Sequence, residues 1–327
     1  MRTLMMKIFL TLLFIPLISS SALAPHPDTL IPPPVMSDRP TSHLELEALF
    51  SSHNYDWGTL DEGVPSIFLE GLPDDLNRIP QVDRKKNVFF LSLLPLVLRV
   101  NEEIRAQREI VESLLDRHDQ GETLSAVEQA QLLAIASEYK VKTDPLTSER
   151  ARLALLSRVD TLPASLVLAQ AATESAYGTS RFARLGNNLF GEWTFIPGTG
   201  IVPHRRPKGR SYEVRSFASI YESVSSYMKN INTHRAYHTL RELRAELRAT
   251  GQPLRGEYLA EGLSRYSEQG HAYIRKIKSV IRKNRLQHLT SVIFRPEVES
   301  TEDLIMTAGL FSSAQASSRW STSRQNP

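Results

Sequence analysis

Cysteine is absent from the 327 residues. That removes disulfides, thiolate metal sites, cysteine nucleophiles and an acylated lipoprotein junction. A chain so composed must draw its stability from its core. A long apolar run is also lacking at the N-terminus, where the stretch from Ile8 to Ile18 is too brief to span a bilayer. No Gly-x-Ser-x-Gly elbow and no glycine-rich phosphate loop occurs, which leaves serine-hydrolase and phosphate-loop chemistry without support. The histidines assemble no metal set. His234 and His238 stand i, i+4, but Asn232-Thr233-His234 reads as a helix-ending segment, and no glutamate follows as in a zincin. No metal and no cofactor is expected.

What is present begins with an export pattern. Arg2 and Lys7 precede the apolar run, and Ser19 to Ala24 supply small residues, so residues 1–24 read as a secretory signal. Ala22-Leu23-Ala24 fits the A-x-A rule, with Pro25 an awkward neighbour and cleavage after Ala22 a second placement; retention as an uncleaved anchor is the alternative. A soluble periplasmic or secreted protein is expected. The net charge of +3 conceals an asymmetry: residues 1–150 carry 14 Lys and Arg against 22 Asp and Glu, whereas residues 151–290 carry 22 against 10. A basic half suits a polyanion, and the export signal argues for a cell wall over nucleic acid. The bland reading is the solvated face of helices.

Prolines 25, 27, 32, 33, 34 and 40 read as an extended spacer, placed over residues 25–60. Arg84 to Arg117 is helical, with Phe89, Phe90, Leu93, Leu94, Val97 and Leu98 as its apolar face and Pro95 expected to kink or split it. Ser125-x-x-Glu128 and Ser219-x-x-Glu222 are capping boxes opening helices towards Tyr139 and Ile231. Further helices are expected over 148–159, from Pro163 to Tyr177, and over 236–250, 255–266 and 271–289. Phe190 to Phe217 breaks the helical period and reads as a small β-hairpin lobe. The Ser-rich tail, 291–327, reads as disordered.

One carboxylate stands out. Glu174 ends the nearly uncharged helical run from Pro163 to Tyr177. Ionising a carboxylate in apolar surroundings is costly, so such a group keeps its proton near neutral pH and can donate it. Breaking a glycosidic bond needs that donor, because the leaving oxygen must be protonated. A surface glutamate at a helix end is the alternative.

The motifs Glu174-Ser175-Ala176-Tyr177-Gly178 and Asn188-Leu189-Phe190-Gly191 resemble the signature of bacterial peptidoglycan endo-β-N-acetylglucosaminidases (glycoside hydrolase family 73), which include flagellar rod-associated wall hydrolases. With Arg215-Ser216-Phe217 and Tyr266-Ser267-Glu268-Gln269-Gly270 the likeness extends to Bax-type proteins of Gram-negative bacteria, from about Val64 to about Leu289. The resemblance implies a mainly α fold: a lysozyme-like helical domain over residues 146–290 with its β-hairpin lobe, preceded by an additional acidic helical segment over 61–145. It implies cleavage between N-acetylglucosamine and N-acetylmuramic acid with Glu174 as general acid. Glu213, in the lobe, is the expected base or electrostatic partner, with Glu192 its competitor. Carboxyls about 5–5.5 Å apart would fit a retaining route and about 6.5–9.5 Å an inverting one; participation by the substrate's own acetamide is a third. Tyr266 matches a cleft tyrosine, suited to bonding a sugar, its N-acetyl group or a water. Tyr273 reads as packing. Tyr177, Asn188, Phe190 and Trp193 are the expected substrate-binding residues, Asn188 also as a turn former and Phe190 also as core. The basic run His204 to Arg210 would capture stem-peptide carboxylates. Muramidase or lytic transglycosylase action, or a non-catalytic wall-binding scaffold, are the alternatives. The acidic segment is expected to contact the basic domain, as packing or as an inhibitory cover.

Overall fold

The computed structural model describes residues 34–296 except Arg205 and Lys208; the signal, the first part of the spacer and the tail beyond residue 296 lie outside the described residues. The architecture is the mainly α one expected. Helix α1 (His43–Ser52) opens the described chain, capped by Ser42, and buries Leu46 and Phe50. It falls inside the segment read as a Pro-rich spacer: apolar side chains spaced for one helix face outweigh the surrounding prolines.

Helix α2 (Val82–Asp119) runs unbroken for 38 residues through Pro95. Proline has no N–H, so the carbonyl of Leu91, one turn back, loses its helical partner. The Tyr55 hydroxyl donates to that carbonyl at 3.0 Å and restores the bond, which is why no split occurs. Nor does the N-terminal half of α2 show one apolar face: every residue from Val88 to Val97 is buried. It is a central helix packed on all sides.

Helices α3 (Ala126–Glu138) and α4 (Glu149–Arg158) pack with the C-terminal half of α2 around Leu114, Leu132, Ile135, Tyr139 and Leu155, a second and smaller core. The main core joins the first half of α2 to α5 (Ala164–Ser175), α7 (Ile220–Thr233), α8 (His238–Ala249), α9 (Gly256–Leu259) and α10 (His271–Lys283). The packing therefore crosses the division read at residues 145/146. Asn101 of α2 pins it, its amide exchanging bonds of 2.8 and 3.0 Å with the backbone of Leu162. Removing residues 25–145 would strip one wall from α5, so the acidic segment is part of the core rather than a detachable cover.

The expected helix over 255–266 is shortened to α9 and a single 3-10 turn, Ala260–Leu263. Backbones meet closely here. A Cβ on Gly262 would lie 2.4 Å from the Leu240 backbone of α8, and one on Gly256 2.4 Å from Ser165 Oγ. The short helix α6 (Arg181–Gly186) leads into the lobe. The lobe is a three-stranded antiparallel sheet rather than a hairpin: β3 (Glu213–Arg215) lies between β1 (Trp193–Thr194) and β2 (Gly200–Ile201). Gly200 is required there, since a Cβ would sit 2.3 Å from the Val214 carbonyl oxygen.

One polar cluster locks the helical frame. Asp160, in the α4–α5 link, is buried beside Arg244 of α8, whose Nη atoms also donate to the carbonyls of Asp160, Thr161 and Ser157 and to the Asn232 side chain at 2.8–3.0 Å. Arg248 closes the rim, with Nη2 2.7 Å from Asp160 Oδ1. Burial alone would raise the Asp160 pKa. The Arg244 charge, helped by Arg248 and Arg108, outweighs it and holds the carboxyl below the usual range.

Candidate active site

Glu174 is the penultimate residue of α5, and the backbone just beyond that helix is unusual: Ala176, Tyr177 and Gly178 all have positive φ, at 52°, 56° and 76°. Two non-glycine residues in this region cost about 1 kcal/mol or more each, so the turn must be held from outside. The buried Ser175 hydroxyl does this, donating to the Ala171 carbonyl and accepting the Gly178 N–H at 2.8 Å. Tyr177 wedges edge-on against Phe89 and Phe90 of α2. The Glu-Ser-x-Tyr-Gly string is thus a device that stops the helix and fixes the carboxylate. A Cβ on Gly178 would lie 2.6 Å from Leu72 Cδ1. Gly178→Ala is expected to cost about 1–3 kcal/mol and to lower activity at temperatures where the variant remains folded; thermal melts and kcat at 20 °C below the midpoint would check both.

The Glu174 carboxyl is half-buried. Burial pushes its pKa up, against a hydrogen bond from Tyr273 and the charge of Lys276. Tyr273 of α10 donates to Glu174 Oε1 at 2.8 Å. Gln170 Nε2 donates to the Tyr273 oxygen at 3.0 Å, and the Tyr227 hydroxyl of α7 donates to Gln170 Oε1. Every donor in this buried relay points towards Glu174, and the two tyrosines fix the orientation of the Gln170 amide. Tyr273, read from sequence as packing, is therefore the side chain bonded to the acid. Its place one α5-facing turn into α10 is invisible without the packing. Tyr266 stacks on Tyr273 at 5.1 Å and donates to the Phe190 carbonyl at 3.3 Å, so its hydroxyl braces the turn next to the acid.

The other expected residues divide. Asn188 is buried and wholly engaged: its Nδ2 donates to the carbonyls of Glu192 and Arg215, and its Oδ1 accepts from Phe190 N and Glu192 N. Phe190 is buried and stacked on Tyr227 at 3.9 Å. Tyr177, Asn188 and Phe190 are thus placed as framework of the site. Trp193 is exposed and lies parallel to Tyr212 at 4.6 Å, an aromatic pair on the surface.

The two acidic candidates have exchanged environments relative to expectation. Glu213 is buried inside the lobe and accepts from the backbone N–H of Gly198 at 3.1 and 3.2 Å and of Gly200 at 2.9 Å. It clamps the Gly198–Gly200 turn instead of overhanging a cleft. Glu192 hangs between the lobe and α7, where Ser226 donates to its Oε2 at 2.9 Å and its buried Oε1 has no partner. Burial raises its pKa, opposed by Ser226 and the Arg215 charge. Burial pushes the Tyr227 and Tyr237 hydroxyls up, and the charges of Glu174 and Glu192 push in the same direction. Among the described residues no group of three or more His, Asp and Glu could hold a metal ion.

Comparison with known proteins gives three findings. Residues 152–286 match the family profile described as Glucosaminidase, mannosyl-glycoprotein endo-beta-N-acetylglucosaminidase. The chain is 37% identical over 199 residues to Protein bax of Escherichia coli (strain K12), a match spanning 61% of this chain and 69% of that protein. Among solved structures, the catalytic domain of the autolysin Auto from Listeria monocytogenes aligns with a TM-score of 0.30 at 18% identity, over 53% of this chain and 95% of that one.

Proposed function

We propose that this chain, which belongs to the glucosaminidase family and is a glycoside hydrolase of the endo-β-N-acetylglucosaminidase kind, acts outside the cytoplasm on the glycan strands of peptidoglycan. It would cut the bond between N-acetylglucosamine and N-acetylmuramic acid. The observation that carries the reading is a half-buried Glu174 with a raised pKa, gripped on one oxygen only. Because Tyr273 donates to Oε1, the acid proton belongs on Oε2. There it is placed to pass to the leaving oxygen as the glycosidic bond breaks. The carboxylate left behind is then stabilised by the Tyr273 hydroxyl, itself polarised by Gln170 and Tyr227.

For the second carboxyl, Glu192 is favoured over Glu213, since the lone pairs of the latter are taken up by the lobe turn. The basic half of the chain, +12 over residues 151–290, suits a wall whose stem peptides carry carboxylates. Export by the N-terminal signal completes the proposal.

Digestion of isolated sacculi tests it. After borohydride reduction, new ends are expected to be reduced N-acetylglucosamine. Reduced muramic ends would reassign the bond, and anhydro-muramic ends would make the reaction a transglycosylation. A second test uses pH. The acid works only while protonated, so activity falls as pH rises through the Glu174 pKa. Tyr273→Phe removes a bond that favours the carboxylate, which moves the pKa further up. The alkaline limb is therefore expected to shift to higher pH, with the plateau kcat lowered roughly tenfold by loss of a hydrogen bond to a charged group. An unmoved limb would detach Tyr273 from the acid.

A further inference from the structure

We propose that the cavity at the N-terminal end of α5, the end opposite Glu174, is a second ligand site that takes carboxylate-ended stem peptides of the wall. The cavity measures 590 Å³, within the roughly 300–1,000 Å³ of small-ligand sites. Ser165 lines it and lies on the same helix as Glu174, about 14 Å away along the axis. Ser165 is 2% exposed, yet among the described residues its hydroxyl has no hydrogen-bond partner. A buried hydroxyl in that position is costly unless a ligand satisfies it. Gly256 lines the cavity beside it. A Cβ there would stand 2.4 Å from Ser165 Oγ and 3.0 Å from the Leu166 nitrogen, so a side chain at 256 would crowd the hydroxyl.

The charge of the site suits an anion. Helix α5 begins after Pro163, which supplies no side-chain cap, and its first turn holds no acid, so the positive end of the helix is uncompensated within its own turn. Arg255, next in the chain to Gly256, lines the same cavity. Its guanidinium lies 5.6 Å from the Tyr258 ring centre and has no ion pair among the described residues. The other charged groups of the wall are already engaged: Glu257 accepts from Arg282 at 2.9 Å, and Lys278 is bonded to Glu261. A carboxylate can accept from the Arg255 fork and the Ser165 hydroxyl together. The remaining wall indicates what carries it. Pro253, Tyr258 and Ile281 offer apolar surface to a small side chain, and the Gln287 amide offers a donor and an acceptor to a peptide group. Inorganic phosphate would use Arg255 but leave that wall bare. The choice of stem peptides as the source rests on the proposed substrate; the site itself does not.

Amide NMR of the isotope-labelled full chain tests it, with N-acetyl-D-alanyl-D-alanine, its C-terminal amide, the L,L dipeptide and inorganic phosphate each added to about 10 mM. The D,D dipeptide is expected to shift the Ser165, Gly256 and Gln287 amides and to saturate with a Kd on the order of 1 mM. Its C-terminal amide should need at least about tenfold more, and so should the dipeptide with Arg255→Gln, since each change removes one side of a charge-assisted bond. Ser165→Ala should weaken binding about threefold or more. Its thermal midpoint should be no lower than that of the wild type, as follows for a hydroxyl with no structural partner. Absence of saturable shifts at these amides, equal binding of the C-terminal amide, or unchanged affinity in Arg255→Gln overturns the proposal. So does phosphate that shifts them as strongly as the dipeptide, which makes the place a general anion site. Tighter binding of the L,L dipeptide also overturns it, in favour of a protein C-terminus. Undigested sacculi would strike the catalytic reading alone and leave the titration standing.

Discussion

Glu174→Gln is expected to lower kcat on peptidoglycan by at least about 10²–10⁴-fold, the range a positioned general acid supplies. The amide keeps the shape and can still accept from Tyr273, so binding should change little and the loss should appear in kcat. The same variant should be more stable than the wild type. Burial raises the folded-state pKa of Glu174 above its unfolded value, so between the two values the native state binds more protons. Stability then falls as pH rises through that window and stays lower above it. Removing the charge removes the penalty, and a melting midpoint higher by about 2–4 °C at pH 7.5 is expected. A Gln variant that melts early and digests sacculi at a tenth of the wild-type rate or better would count against Glu174 as the acid. The two readouts together separate lost chemistry from lost folding.

The second large effect concerns the frame. Asp160→Asn should destabilise the protein by about 3–5 kcal/mol, because Arg244 is 1% exposed and would keep its charge with its principal counter-ion gone. That corresponds to a midpoint lower by roughly 6–20 °C. Arg248→Ala, at the half-exposed rim of the same cluster, should cost only about 1 kcal/mol or less. The pH dependence has a definite sign. The folded-state pKa of Asp160 is depressed, so its contribution is present above the usual carboxylate pKa of about 3.9 and is lost as pH falls through the lowered value. Wild type and Asp160→Asn should thus converge only in acid. A variant melting within 2 °C of wild type at pH 7 would remove the ion cluster from the account of stability.

These two sites differ in how far they can be read from sequence. Glu174 is legible because its neighbours along the chain are apolar, and a local environment already makes its charge costly. Asp160 and Arg244 lie 84 positions apart, and nothing in either neighbourhood announces the other. The same distinction applies to the acidic partner. In sequence Glu213 and Glu192 both lie in a loop-like stretch. Only the closing of the sheet turns one onto its own amides and hangs the other beside Ser226. Tyr273 reads as packing because helical periodicity gives a face but not the atom across from it. Pro95 reads as a break because the donor that repairs it, Tyr55, sits 36 positions from the carbonyl it serves.

Composition and local order, then, suffice for the helical class, most helix starts, the irregular lobe and the singling out of Glu174 as a carboxylate in apolar surroundings. Each of these depends on interactions within about a dozen residues. Caps bond to the next turn, apolar spacing repeats at helical period, and a lone carboxylate feels its own helix. The tertiary structure decided that Glu213 turns onto its own lobe amides while Glu192 meets Ser226, that Tyr273 bonds Glu174, and that α2 is central rather than a cover. Those outcomes rest on contacts between segments tens of residues apart. Close packing selects them for the whole molecule at once, and no single segment carries the information alone.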